Sequence, residues 1–150
     1  MTATPSLREL AAVRTHYWEL LGSPVTIEVR TRRLLIATGD ALDAITMPPE
    51  FGEQVLAGLR IAMLAGPVIA GDANWTFLTR PVVTQSVPAD LDRLRVHAIP
   101  HGQQLVLPAS DHQWVLAPSP RQQPTLWTAV IGTARRAAHH LAAVELSPAA

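Results

Sequence analysis

Apolar residues recur along positions 7–21 with the spacing of one helical face. Ser6 and Glu9 form a capping box at the start of this segment, and Gly22 is a suitable residue for its end. The apolar positions fill one broad half of a helical wheel, with Arg14 in the middle of that half. The pattern predicts an N-terminal helix, and it leaves two roles open for Arg14. The side chain either snorkels at the edge of the core or contacts a partner or an anion.

Alternation of apolar and polar residues with period two predicts several strands after this helix. A hairpin is predicted around Asp72-Ala73-Asn74, which separates two apolar segments. The predicted strands are 25–30, 32–37, 42–47, 67–71, 75–80, 95–99, 105–107 and 114–117.

Proline and glycine residues mark the ends of two further helices. A central helix is predicted to begin at Pro49 and to end at Gly66-Pro67, and residues 88–92 are predicted to form a short helical turn. Residues 118–124 are rich in Pro and Gln and are interpreted as a linker to a C-terminal helix, which Pro124 opens. The last residues, 147–150, are expected to be a loose tail.

This order of elements lacks strict βαβ alternation and therefore predicts an α+β fold. We expect a mainly antiparallel sheet, with an N-terminal, a central and a C-terminal helix packed on it, in one domain over residues 1–150. The side chains expected to be buried are Leu10, Tyr17, Val29, Ile45, Leu56, Phe77, Val106 and Ile131.

Composition bears on partners more than on fold. Charged residues make up 16% of the chain against a typical value of about 25%, and the net charge is zero. Low charge indicates either an apolar surface covered by a partner protein or a second copy, or an unusually well-buried monomer. Net neutrality removes any global attraction to nucleic acid or anionic lipid. The absence of cysteine, of a signal-peptide pattern and of a membrane span favours a cytoplasmic protein.

Signatures of catalysis are missing from the sequence. There is no Gly-x-Ser-x-Gly motif, no phosphate-binding loop and no dinucleotide-binding glycine pattern. His139 and His140 are adjacent, so on a helix their side chains diverge by about 100° and do not chelate one ion easily. We therefore predict no catalytic residue, no metal site and no cofactor.

Two basic clusters are the candidate binding residues, together with Arg14. Arg135, Arg136, His139 and His140 are predicted to share the polar side of the last helix without an acid among them. They either complement the helix dipole or bind phosphate or another anion.

The second cluster is Arg30, Arg32 and Arg33 in the first pair of strands. Its simplest interpretation is a solvated strand edge that discourages pairing with another sheet. Its alternative role is to contact nucleic acid.

Several short stretches together resemble one protein family. The first stretch is 11–25, which contains Tyr17-Trp18 and then Gly22-Ser23-Pro24-Val25. The second is 38–48, which contains Thr38-Gly39 and the strand that follows. The others are residues 102–110 and Trp114. The chain resembles a shortened and diverged N-terminal domain of the bifunctional DNA primase/polymerases, which occur in many actinobacterial proteins. The resemblance covers most of the chain and implies a related fold.

The resemblance also implies that the metal-binding carboxylates of the family have been lost. Active members of the family hold a divalent metal with two carboxylates on the first motif and a third before the late glycine, because such ions prefer hard oxygen ligands. Here Thr46 and Pro48 occupy the first two positions, and a residue near Arg95 occupies the third. The central histidine of the family falls near Trp75, and Asp43 survives on a different phase of the strand.

The leading hypothesis is therefore a non-catalytic primase/polymerase-like module that acts through protein–protein interaction, with a partner protein or as a homo-oligomer. One alternative is a weak nucleic-acid or nucleotide binder that uses Arg32, Arg33 and the last helix. Another is a residual nucleotidyltransferase whose acids lie elsewhere in the chain.

Overall fold

The computed structural model describes residues 4–110 and 113–146, and helices and strands alternate irregularly along them. The helices in this part of the chain are Leu7–Leu21 (α1), Pro49–Ile61 (α2), Ala89–Asp92 (α3) and Trp127–Leu146 (α4). The strands are Val25–Glu28 (β1), Arg33–Ala37 (β2), Asp43–Met47 (β3), Val68–Ala70 (β4), Trp75–Thr79 (β5), His97–Ala98 (β6), Gln104–Leu107 (β7) and Trp114–Leu116 (β8). The tail predicted at 147–150 lies outside the described residues.

The strands form two antiparallel sheets, which confirms the predicted α+β class. A small sheet has the order β1-β2-β7, and a large sheet has the order β6-β3-β5-β4-β8. The predicted hairpin is present, with β4 and β5 paired antiparallel. The fold differs from the expectation in dividing the strands between two sheets, because β2 pairs with β7 while β3 pairs with β5 and β6.

The large sheet separates two hydrophobic clusters. Successive side chains of a strand point to opposite faces, so β3 directs Ile45 and Met47 to one side and Ala44 to the other. The first cluster joins the large sheet to α2, α3 and α4. The second joins its opposite face to α1 and the small sheet.

The first helix has the predicted caps. The Ser6 hydroxyl accepts a hydrogen bond from the Glu9 backbone N–H at 3.1 Å, and Gly22 ends the helix in the left-handed conformation at φ 69°. The N–H of Gly22 donates to the carbonyl of Trp18. These local interactions fix both ends of α1, as the sequence predicts.

A buried polar contact joins α1 to both sheets. The Tyr17 hydroxyl donates to the carbonyl of Pro108 at 2.7 Å and accepts from the Trp114 indole N–H at 2.8 Å. Pro108 follows β7 of the small sheet, and Trp114 begins β8 of the large sheet. The two rings also meet edge to face, with centroids 5.7 Å apart.

The structure confirms burial for five of the predicted core residues, namely Leu10, Tyr17, Ile45, Leu56 and Phe77. Ile131 is only partly buried, at the edge of the first cluster.

Two predictions of burial are wrong. Val29 is 63% exposed because β1 ends at Glu28 and the chain then turns. Val106 is 41% exposed because β7 directs its neighbours Leu105 and Leu107 to the core instead.

Of the predicted element boundaries that shift, three have a cause in the backbone. Arg32 lies outside β2 with φ 54°, and α2 ends at Ile61 because Met63 adopts φ 60°. The last helix begins at Trp127 instead of Pro124. The backbone at Thr125 bridges to Thr79 and accepts the N–H of Arg80 at 2.7 Å, so it remains extended.

Two glycines let α2 lie close to its neighbours. A Cβ atom on Gly52 would lie 2.8 Å from the Trp75 ring, and one on Gly58 would lie 2.7 Å from Cγ2 of Thr133 on α4. Real Cβ contacts are longer than this, so α2 and α4 approach at a distance that only glycine permits at position 58.

We predict that Gly58→Ala destabilises the fold by about 1–3 kcal/mol through overpacking, although alanine favours a helix. Thr133→Ser removes Cγ2 and keeps the hydroxyl, so we expect it to relieve much of that loss in the double variant. Urea unfolding of the double-mutant cycle measures this coupling.

Gly132→Ala on α4 is the matched control. The nearest atom to its added Cβ is Nη1 of Arg136 at 3.7 Å, which is an ordinary contact. We expect it to be neutral or stabilising by up to about 1 kcal/mol. Equal stability losses in Gly58→Ala and Gly132→Ala would contradict the close contact between the helices.

Candidate functional site

A groove of about 870 Å³ lies between α2 and α4. Its apolar walls come from small and branched side chains of both helices and their ends: Ala57, Ile61, Ala62, Ala137, Leu141 and Val144. Gly58 and Thr133 lie at the close contact between the helices, and both line the groove. The floor is therefore set by the helix contact, and the walls are set by short side chains.

Apolar side chains stand in solvent at the end of α2. Ile61 lines the groove and is 86% exposed, and Met63 just beyond the helix is 90% exposed. Val144 of α4 also lines the groove and is exposed, whereas Met63 and Leu64 line a separate pocket beside Leu126. Contiguous exposed apolar side chains mark contact sites more often than isolated ones do. This end of the molecule therefore has the character of an interaction surface.

Polar side chains in the groove come from Gln54, Thr133, Arg136 and His140. Arg136 is held by an interaction on its own helix, since its Nη2 donates to the Thr133 hydroxyl at 3.1 Å. Its guanidinium thus folds back along α4 towards the contact with Gly58. The groove presents a positioned cation beside apolar walls.

The four basic residues predicted to share one side of α4 lie on two sides instead. Arg136 and His140 line the groove towards α2, whereas His139 lines a second groove, between α3 and α4. Arg135 forms an ion pair with Asp90 of α3 at 3.7 Å. Adjacent residues on a helix are about 100° apart, so α3 and α2 each receive one Arg-His pair.

The other candidate cations lie far along the chain from this groove. Arg33 pairs with Glu28 at 3.2 Å, and Arg32 donates from Nη1 to the carbonyl of Pro5 at 3.0 Å. Hydrogen bonds from the Thr31 hydroxyl and the Arg33 guanidinium hold the pKa of Glu28 below its ordinary value. Arg33 therefore serves a local contact at the turn between β1 and β2, whereas Arg32 joins this turn to the segment before α1.

Arg14 has a mixed environment at the edge of the second cluster. Its Nε atom is buried without a hydrogen-bond partner, while Leu7 and Trp18 on the same side of α1 are partly exposed. The helix spacing that aligns these three residues was recognisable in the sequence. Arg14 does not lie in the groove between α2 and α4.

Sequence reasoning missed a polar network centred on Asp43. This carboxylate is 0% exposed and accepts the Val82 N–H at 2.8 Å and the Gln85 amide at 3.2 Å. Nε2 of His101 lies 3.1 Å from one carboxylate oxygen and 3.2 Å from the other. Because a buried carboxylate needs donors, we assign the proton of the imidazole to Nε2.

The same network fixes the backbone around His101. The Gln85 amide also donates to the carbonyl of Ile99 at 2.6 Å, and its oxygen accepts the N–H of His101 at 3.1 Å. The Thr38 hydroxyl donates to the carbonyl of Pro100 at 2.8 Å. Asp43 thus acts as a structural acid that joins the segment after β5 to the turn after β6, and its oxygens are already engaged by donors.

The positions that correspond to the acids of the resembled family hold other contacts. Thr46 pairs with Thr76 and His97 in the large sheet, and its hydroxyl donates to the carbonyl of His97 at 3.4 Å. Within residues 4–110 and 113–146, no group of three or more His, Asp or Glu side chains is placed to hold a metal ion.

Comparison of the chain with protein-family models, with curated proteins and with solved structures finds no match in any of the three. None of the helices in the described part of the chain is both long and apolar enough to cross a membrane.

We predict that Asp43→Asn destabilises the protein, because the amide replaces an acceptor with a donor facing Val82, Gln85 or His101. The expected loss is about 1–3 kcal/mol for each buried group left unpaired. Asp40→Asn, in the exposed turn just before β3, is the control and is expected to change stability by less than about 0.5 kcal/mol. Equal urea midpoints for both variants would contradict the structural role of Asp43.

Proposed function

We propose that this chain is a non-catalytic primase/polymerase-like module of the cytoplasm that binds another protein through the groove between α2 and α4. The observation that carries the proposal is the groove itself, with Ile61 exposed on its α2 wall and Arg136 on its α4 wall. Partner helices commonly insert apolar side chains into such grooves.

The composition of the chain supports a binding role. With few charges to solvate its surface, a groove with exposed apolar side chains is costly to leave open in water. Burial of Ile61 and Val144 against a partner in the groove would remove that cost. The low charge and the exposed groove therefore support the same function from independent observations.

The non-catalytic part of the proposal rests on particular side chains. Thr46 and Trp75 supply no carboxylate or imidazole, and Asp43 is surrounded by donors from the protein itself. A residual nucleotidyltransferase would need acids that neither the first motif nor this network offers. The relation to primase/polymerases remains a proposal based on the sequence motifs.

Protein binding is favoured over nucleic-acid binding by the placement of the cations. Arg33 and Arg135 each contact a carboxylate, and the remaining basic residues of α4 face two different grooves. A phosphate backbone is bound by several cations along one path. The structure offers apolar walls with one or two cations instead.

Site-specific photocrosslinking in the native host tests this function. We expect a photoreactive residue in place of Ile61 to give a discrete heterologous cross-linked product. The same residue in place of Val29, exposed in the turn after β1, should give none. Ala57→Glu, which places a charge in the groove, should abolish the product, whereas Thr128→Glu, exposed on the side of α4 away from the groove, should leave it.

Circular dichroism melting of each variant establishes that the fold is retained. A cross-link that survives Ala57→Glu would show that the groove is not the contact. A product with the mass of two chains would assign a second copy to the groove and contradict a different partner protein.

A further inference from the structure

The charges of the groove are all of one sign. Among the described residues that line it, Arg136 and His140 are the ionisable ones, and both are basic. Arg136 makes no ion pair with a carboxylate of the described chain, in contrast to Arg33 and Arg135. The groove therefore offers a guanidinium that pairs with no carboxylate among the described residues.

This guanidinium is held in place before any partner binds. Its bond to the Thr133 hydroxyl ties Nη2 to the helix, and Nη1 lies near Gly132, where no side chain obstructs it. An arginine that is already positioned loses less conformational freedom than a mobile one when it pairs with a carboxylate. Its guanidinium can donate two parallel hydrogen bonds to that carboxylate. His140 lies one turn further along the same wall.

The shape of the groove favours a helix as the occupant. Small-molecule sites usually enclose most of the ligand, whereas this groove is open between two exposed helix ends. The short residues Ala57, Gly58 and Ala137 leave room between the walls for the larger residues of an apolar helical stripe.

A second copy of the chain fits this surface less well. In a two-fold dimer formed by this groove, the other copy would bring the same patch, whose described ionisable residues are both basic, so Arg136 would find no carboxylate there. Like charges brought together in this way oppose association. Charge complementarity therefore favours an acidic partner.

We propose that the groove binds an amphipathic helix of a partner protein that carries Asp or Glu beside its apolar stripe, and that this carboxylate pairs with Arg136. The inference rests on the proposed function and specifies the chemistry of its partner. The apolar stripe supplies burial against Ile61 and Leu141, and the acid sets the position of the helix in the groove.

A display library of helices tests the inference with defined probes. Each peptide has about 18 residues, or roughly five turns, with leucines fixed at helical spacing and the flanking positions drawn from Glu, Gln, Lys and Ala. We expect selection on the wild-type protein to enrich Glu at one flanking position. Replacing that Glu with Gln in a purified peptide should weaken binding by about 10- to 100-fold, measured by fluorescence anisotropy.

The protein variants identify the residue that recognises the acid. With Arg136→Gln, the Glu and Gln peptides should bind with equal affinity. Arg135→Gln changes the adjacent arginine outside the groove and should retain the preference for Glu. A full preference for Glu in Arg136→Gln would overturn the assignment to Arg136, provided that thermal melting shows a folded variant.

The outcomes separate the inference from the proposed function. One outcome is that the selected helices carry no acid but still fail to bind the Ala57→Glu variant. That result would overturn the inference and leave the groove as a protein-binding site. Helices unaffected by Ala57→Glu, or no enrichment at all, would overturn both. A dimer in light scattering that Ala57→Glu dissociates would replace the acidic helix with a second copy.

Discussion

The buried carboxylate of Asp43 is the interaction on which the arrangement of the two sheets depends. A carboxylate removed from water is costly unless donors surround it, so the Val82 N–H, the Gln85 amide and His101 must converge on it. These groups belong to the segments that follow β5 and β6. The second segment then carries the chain to β7, so the acid of the large sheet also positions a strand of the small sheet.

This constraint reaches the groove through the large sheet. Asp43 begins β3, which pairs along its whole length with β5, and β5 presents Trp75 beneath Gly52 of α2. The contact between Trp75 and Gly52 thus fixes the distance of α2 from the sheet. The contact between Gly58 and Thr133 fixes the distance between α2 and α4. The width of the groove is a consequence of packing far from its mouth, which is why a single added methyl group at position 58 is expected to disturb it.

Local signals made much of the fold predictable from the sequence. Ser6, Glu9 and Gly22 define α1 through interactions within a few residues, and the hairpin around Asp72-Ala73-Asn74 is equally local. The failures arise where tertiary contacts decide. In β7 the sequence Leu105-Val106-Leu107 offers two apolar phases, and only the pairing with β2 determines which one faces the core.

The candidate site was predictable in composition but not in arrangement. Arg136 and His140 could be recognised as basic residues one turn apart, yet their separation from Arg135 and His139 depends on where α2 and α3 pack against α4. The network of Asp43 joins residues up to 58 positions apart, so neither spacing nor periodicity indicates it. Its sequence signal is an acid at the start of a mostly apolar strand.

The composition of α2 links its packing to its proposed role. Glycine in a helix interior costs about 1 kcal/mol relative to alanine, and α2 carries Gly52 and Gly58 within 13 residues. Gly52 is explained by the ring of Trp75 and Gly58 by Thr133, since a methyl group at either position would collide. The second contact lowers the floor of the groove and keeps Thr133 where its hydroxyl holds Arg136. The same close approach that costs helix stability therefore positions Arg136 in the groove. An acidic helix that binds there would use both the space above Gly58 and the positioned guanidinium.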